Sequence, residues 1–300
     1  MKDWIARHFN LIMILAVILG LILPGLEHLP RSSGMILISI AIFFSCSKVT
    51  IEELRHINLK SALSFYGIRF LFLPIMVYYA ALYTVPEYAI GVLLIALAPV
   101  GASAASIALL TRSNTSLALS STVVTNALAP AAITVILYIT LSEGANLRID
   151  ILNFFTTLGL SIFLPAFLYF AVIRKIEKVK YIVRRDAGFY ATICIALMIA
   201  IVTALEKNYI LDNLDDVFFM VLTGCVLFAV LYGAAWLFFM RGNPTDRKTY
   251  ILCSGVNNTG LSSGLALLYF PPEVIVFTIV AEIPWTLGII AFKKYADKIE

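Results

Sequence analysis

The sequence predicts an all-α membrane protein: ten transmembrane helices in two inverted five-helix repeats, with interrupted crossing helices at the fourth and ninth positions. Three observations lead there. Of the 300 residues, 61% are apolar and 13% charged, where a soluble domain carries roughly 25% charged residues. Ten apolar runs follow one another, and two of them are broken by Pro, Gly and amide residues at matching places in the two halves. The composition excludes both a soluble globular domain and intrinsic disorder.

A helix needs about 20 apolar residues to cross a hydrocarbon core of about 30 Å. Runs of that kind cover residues 11–26, 34–50, 61–83, 88–110, 115–141, 151–173, 187–205, 214–240, 248–270 and 274–292. The first follows Lys2 and Arg7 as a signal peptide would, but Pro24-Gly25-Leu26-Glu27 lacks a small-residue cleavage pattern. Short connections leave no room for a soluble domain.

Lys and Arg alternate strongly in side. Eighteen of the 22 fall on one side, among them Lys48, Arg112, the run from Arg174 to Arg185, Lys248 and Lys293. Three, Arg31, Arg148 and Lys207, fall on the other, and Arg69 lies inside a span. The excess predicts both termini in the cytoplasm of a protein of the plasma membrane, the inner membrane in a bacterium. The run at 174–185 reads as a topogenic loop touching anionic lipid. Basic residues scattered in this way give nucleic acid no surface, so membrane lipid is the expected partner, and oligomeric state is unreadable. Cys46, Cys194, Cys225 and Cys253 are too dispersed for a disulfide framework or zinc site and read as small core residues.

The fourth span breaks at Pro99-Val100-Gly101 and the ninth at Ser254-Gly255-Val256-Asn257-Asn258-Thr259-Gly260. Five-span repeats must be inverted in topology, and paired breaks in inverted halves point to a transport site, because each exposes backbone amides and carbonyls at mid-membrane depth. Asn257, Asn258, Ser254 and Thr259 at one break, Ser103 and Ser106 at the other, and Thr122, Thr125 and Asn126 on the fifth span offer polar contacts. Each hydroxyl alone has a plainer use, bonding its own helix. Two charges lie well inside spans, Arg69 in the third and Glu282 in the tenth. Their depths permit contact, either as a structural ion pair or as groups that meet substrate or a proton. With Arg69 and half-helix N-termini, the site suits a small organic anion such as a carboxylate or sulfonate.

No HExxH, intramembrane aspartate pair or phosphate loop is present, and Gly260-Leu261-Ser262-Ser263-Gly264 fits GxSxG in letters only, inside an apolar run with no strand-to-helix elbow, so the groups for membrane hydrolysis or nucleotide use are missing and no enzyme is expected. No cofactor is expected either. A channel would need a filter or charged ring that the sequence lacks.

These residues resemble the bile acid:sodium symporter family. Phe44-Ser45-Cys46-Ser47-Lys48-Val49-Thr50-Ile51-Glu52-Glu53-Leu54 is similar to its Met-Gly-x-x-Leu-x-x-x-Asp-Phe stretch. Pro99-Val100-Gly101 with Arg112-Ser113-Asn114 resembles its Pro-Gly-Gly crossover and Arg-Gly-Asn turn, and Gly255-Val256-Asn257-Asn258-Thr259-Gly260-Leu261 its Gly-x-Gln-Asn-x-Gly-Leu. The resemblance implies a panel domain (11–50 and 151–205) that moves against a core domain (61–141 and 214–292) to give alternating access. It also implies two sodium sites, and here the sequence departs. Ala104, Ala105, Ala118 and Thr122 stand where the family offers Ser, Asn, Ser and Thr. Cys253 stands for a carboxylate, Asn257 for its neighbouring amide and Arg69 for a Gln. A hard cation needs several oxygens and is repelled by a guanidinium, so the expectation is a carrier without sodium, with Arg69 as a built-in cation and Asn257, crossover carbonyls or Glu282 as its partner. If Glu282 takes a proton, transport is proton-coupled. If it pairs with Arg69, a uniporter or exchanger results. Alternatives are an ordinary sodium symporter, an arsenite carrier, for which residues 96–106 lack the expected Cys, and a non-transporting sensor.

Overall fold

The computed structural model describes residues 9–47, 59–141, 150–240 and 243–298. The acidic stretch after Ser47, from Lys48 to Leu54, and the charges of Lys2, Arg7, Arg148 and Arg241 lie outside them. The described residues are almost wholly helical, with α1 Phe9–Ile22, α2 Ser32–Cys46, α3 Leu59–Tyr66, α4 Leu73–Thr84, α5 Ala89–Leu97, α6 Ala104–Leu110, α7 Thr115–Leu141 and α8 Ile151–Phe167. They continue as α9 Glu177–Leu205, α10 Lys207–Asp212, α11 Leu214–Phe238, α12 Pro244–Gly255, α13 Thr259–Tyr269, α14 Pro272–Val280 and α15 Glu282–Ala296.

In hydrocarbon each backbone polar group must find a partner within the protein, and a helix supplies it locally. Among the described residues, six continuous helical stretches are long and apolar enough to span a membrane: Leu63–Thr84, Thr115–Leu141, Ile151–Lys175, Glu177–Leu205, Leu214–Phe238 and Pro272–Ala296. Leu11–Ile22, Ser32–Cys46 and Pro86–Leu97 are apolar but shorter. Six long stretches rather than ten follow in part from the two predicted breaks, which divide the fourth and ninth runs into α5 with α6 and α12 with α13. The chain is an integral membrane protein. Lipid-facing residues such as Phe167, Leu152 and Leu214 are accordingly exposed.

Two boundaries differ from the sequence reading for physical reasons. The basic segment expected as a loop is helical from Glu177, because Glu177, Lys180, Arg184 and Arg185 are good helix formers with an i,i+3 pair between Glu177 and Lys180 at 2.8 Å. The third run is interrupted by a π turn, Gly67–Phe72, between α3 and α4. Pro74 near the start of α4 has no N–H for the carbonyl of Phe70 and crowds it, and a wider turn relieves both defects. Of the four cysteines, all free, Cys253 alone is fully buried; Cys46, Cys194 and Cys225 are half-buried beside lipid-facing surface.

α9 packs along α1 and α2, α2 also meets α8 and α13, and α11 carries α12, α14 and α15 on one flank. At the end of α9, Arg31 bridges two helices: its guanidinium donates to Glu206 at 3.1 Å and to the carbonyl of Leu267 at 3.3 Å. Burial pushes the Glu206 carboxyl above its ordinary range, Arg31 opposes the shift and Glu273 adds to it. A folded-state value above the unfolded one stabilises the protein below the ordinary carboxylate range and loses that contribution as pH rises through the raised value. The thermal midpoint therefore declines with rising pH over that window, and Glu206→Gln flattens that part of the curve; an unchanged slope in the variant would show that Glu206 is not its source.

Candidate functional site

The two breaks meet. Val100 and Asn257 form an antiparallel bridge in which Gly101 N–H donates to the Val256 carbonyl (2.8 Å) and Asn258 N–H to the Pro99 carbonyl (2.7 Å). Gly101 lies so close to the other strand that a Cβ would stand 3.1 Å from the Asn257 carbonyl oxygen, which explains its missing side chain.

The carbonyls of Leu94, Ile95 and Ala96, which lose their helical donors at the end of α5, find substitutes. Pro99 has no N–H for Ile95, and Asn257 Nδ2 donates there instead at 2.7 Å. Val100 N–H turns to Thr125 Oγ1 (3.0 Å), which frees the Ala96 carbonyl for Arg69 Nη1 at 2.7 Å. Ser262 Oγ donates to Leu94 at 2.9 Å. On the opposite half, Asn258 N–H turns to Pro99 and leaves the Ser254 carbonyl to Arg69 Nε at 2.8 Å. Arg69 Nη2 completes the set on Asn257 Oδ1 at 3.0 Å, and the guanidinium lies 4.6 Å from the centre of the Phe70 ring.

Arg69, 1% exposed, thus ties the C-terminal ends of α5 and α12 together. Each helix end carries a partial charge near −0.5, and a buried cation between two of them is paired although no carboxylate among the described residues touches it. Glu282, the partner that depth alone suggested, is elsewhere: its Oε1 accepts a hydrogen bond from Thr259 Oγ1. Depth fixes one coordinate, whereas the π turn sets which way Arg69 faces around the helix axis.

The other predicted residues divide by use. Asn126 Nδ2 donates to the Val100 carbonyl (2.9 Å) and to Thr122 (2.8 Å), and Asn258 Oδ1 caps α13 by accepting from Leu261 N–H at 3.2 Å. Thr122 takes the plainer role and bonds Ala118 on its own helix, and Ser254 Oγ bonds the Leu231 carbonyl. Ser103 precedes α6 half-buried, without capping it by its side chain. Cys253 and Gly255 are fully buried. Ala104 and Ala118 are buried and Ala105 half-buried, and none of the three supplies a side-chain oxygen.

Tyr232 was not signalled by the sequence, where it is one aromatic residue in an apolar span. Its ring lies against Gly255 and Gly288 and stacks on Phe292. Only the neighbouring glycines, far apart in sequence, hint at the space it fills.

The fold and the site together define a class: a polytopic helical membrane protein whose two interrupted helices meet at their breaks, the arrangement of secondary transporters. Residues 34–213, more than half of the chain, match the Sodium Bile acid symporter family, and the chain belongs to that family of membrane transporters. A search of curated proteins finds no match.

Proposed function

We propose that the chain is a secondary transporter of a small organic anion that works by alternating access without sodium. In this reading ten spans form two inverted five-span repeats, residues 11–50 and 151–205 make the panel, and residues 61–141 and 214–292 make the core. The antiparallel meeting of the breaks supports the inversion, since two crossing segments related by a two-fold axis in the membrane plane meet head to tail.

The observation that carries the proposal is the placement of Arg69. The carbonyls of Ala96 and Ser254 and Oδ1 of Asn257 are the oxygens a bound cation would take at this junction, and guanidinium nitrogens already hold all three. A sodium ion there would meet a fixed positive charge, worth roughly 4 kcal/mol of repulsion at 4 Å for an effective dielectric near 20. With Cys253 in place of a carboxylate and three alanines in place of oxygen ligands, nothing offsets that cost.

Ser103, Thr122, Asn126 and Asn258 are half-buried polar residues beside the breaks, and the amide-capped N-terminus of α13 favours an anion. The halves differ in exposure. α13 is buried from Thr259 to Leu267 against α2, α5, α9 and α14, whereas α6 packs on α7 and α12 and leaves Leu109 and Leu110 71% and 74% exposed.

Sodium titration of the purified protein at fixed ionic strength, with potassium and choline as controls, tests the reading. The expected thermal midpoint is the same in all three salts; a selective rise of several degrees in sodium would restore the ordinary symporter and overturn the proposal.

A further inference from the structure

Glu282 opens α15 just after the turn at Ala281 that separates it from α14. It is 7% exposed, Oε1 is engaged by Thr259 Oγ1, and Oε2 has no hydrogen-bond partner among the described residues. Buried polar oxygens in a membrane interior are almost always satisfied, because water is not there to do it. Two features act on this carboxyl in opposite senses. The N-terminus of α15 and the Thr259 hydroxyl favour a carboxylate, whereas burial with one oxygen unmatched favours a neutral acid. A group held in such a balance changes its state when its one donor moves.

The surroundings leave the proton as the ion to be exchanged. Against α15 pack α11, α12 and α14. Near the breaks α11 carries Cys225 and Tyr232 and α12 carries Cys253, none of them a charged partner; the charged groups stand towards the helix ends, Asp215, Asp216 and Glu273 in the first turns of α11 and α14, Asp246, Arg247 and Lys248 with Tyr250 in the first half of α12, and Lys293 and Lys294 in the last turn of α15. On α13, Tyr269 is the last residue and Thr259 the first. Arg69 reaches the same break through Asn257, but its donors go to Ala96, Ser254 and Asn257 and not to Glu282.

We infer that Glu282 and Thr259 form a proton-binding site that ties the second break to the tenth span. In one state the carboxyl carries a proton taken from water on one side of the membrane. In the other the proton has returned to water and the carboxylate is held by the Thr259 hydroxyl. Because Thr259 begins α13 directly after Asn258, a shift of the crossover lengthens or shortens the hydrogen bond and so exchanges the proton. The inference deepens the transporter reading above by naming its coupling ion, and it rests on that reading.

An apolar carbodiimide tests it without knowledge of the substrate. A protonated carboxyl adds across the reagent: its proton goes to one nitrogen, its oxygen to the central carbon, and the adduct rearranges to a stable N-acylurea with nothing lost. The protein in lipid nanodiscs is treated with dicyclohexylcarbodiimide across a pH series, and peptides carrying one added reagent are located by mass spectrometry. The expected result is modification at Glu282 whose rate falls about tenfold per pH unit once the carboxyl is mostly ionised. Thr259→Val removes the one donor to the carboxylate among the described residues, so labelling there persists to higher pH. Glu282→Gln abolishes the label, and Glu282→Asp is the second variant if Gln fails to fold.

Absence of label on Glu282 at every pH, with exposed carboxyls modified normally, or a rate independent of pH, would overturn the inference. An unchanged profile in Thr259→Val would remove Thr259 from the site. These failures leave sodium independence standing and make the protein a uniporter or exchanger, whereas a selective sodium stabilisation removes the parent reading whatever Glu282 does.

Discussion

Arg69→Leu is expected to lose about 3–5 kcal/mol of stability, the cost of leaving a buried polar cluster without one partner. The substitution fits the space poorly and takes five donors away. The carbonyls of Ala96 and Ser254 and the amide oxygen of Asn257 then stand buried without them, and each unsatisfied acceptor costs about 1–3 kcal/mol. Removal of the charge recovers its desolvation cost, which is why the total stays below the sum of the three. A fall in thermal midpoint on the order of 10 °C corresponds to this loss. Arg69→Lys retains the charge as a point with three donors but not the planar fork that reaches three oxygens on two helices, so an intermediate loss is expected. The paired change Arg69→Gln with Cys253→Glu restores an amide and a carboxylate at two sodium positions, and its midpoint should rise with sodium where that of Arg69→Leu does not. A fully stable Arg69→Leu would show that the breaks hold together through their backbone bridge alone, and the guanidinium would no longer account for the missing sodium sites.

What could be read in the sequence, and what could not, follows from how local each signal is. Pro99 and Gly101 declare a break because one lacks an N–H and the other lacks a Cβ, and the ninth span does the same with Gly255, Asn257 and Asn258. Arg69 and Glu282 are conspicuous as charges in apolar runs, so the candidates were legible. For Arg69 the family resemblance offered Asn257 and crossover carbonyls beside Glu282, and the structure has the first two; the choice among the three was not legible. The pairing of Arg69 with carbonyls depends on its direction around the helix axis, and the π turn at Gly67–Phe72 shifts that direction by about 100° per added residue, a change that apolar periodicity does not record. The choice between Thr122, which bonds Ala118 on its own helix, and Thr125, which takes Val100 N–H, depends likewise on which face of α7 meets the break. Tyr232 stayed hidden because its role lies in glycines of two other helices.

Gly255→Ala is expected to destabilise the protein by about 3 kcal/mol, the upper part of the range for overpacking a close-fitted interior. Helix propensity alone would predict the opposite sign, a gain near 1 kcal/mol for Ala over Gly. Geometry decides between them. A Cβ at Gly255 would stand 2.0 Å from Cζ of Tyr232 and 2.3 Å from Cε2, inside any allowed contact, and the ring cannot turn away freely because Gly288 borders it and Phe292 stacks on it. The displaced element is α12, whose Ser254 carbonyl receives Arg69 Nε, so the same methyl disturbs the hold of the guanidinium on the second break. Tyr232→Leu removes the obstructing ring at the cost of a cavity. In the double variant Gly255→Ala with Tyr232→Leu, the loss should be smaller than the sum of the two single losses by about 1–3 kcal/mol, the range expected for residues in direct contact. Strict additivity would place the strain elsewhere on α12. The coupling, measured as thermal midpoints of the four proteins, tests whether the bare Cα of Gly255 is kept to let Tyr232 close the core behind the site.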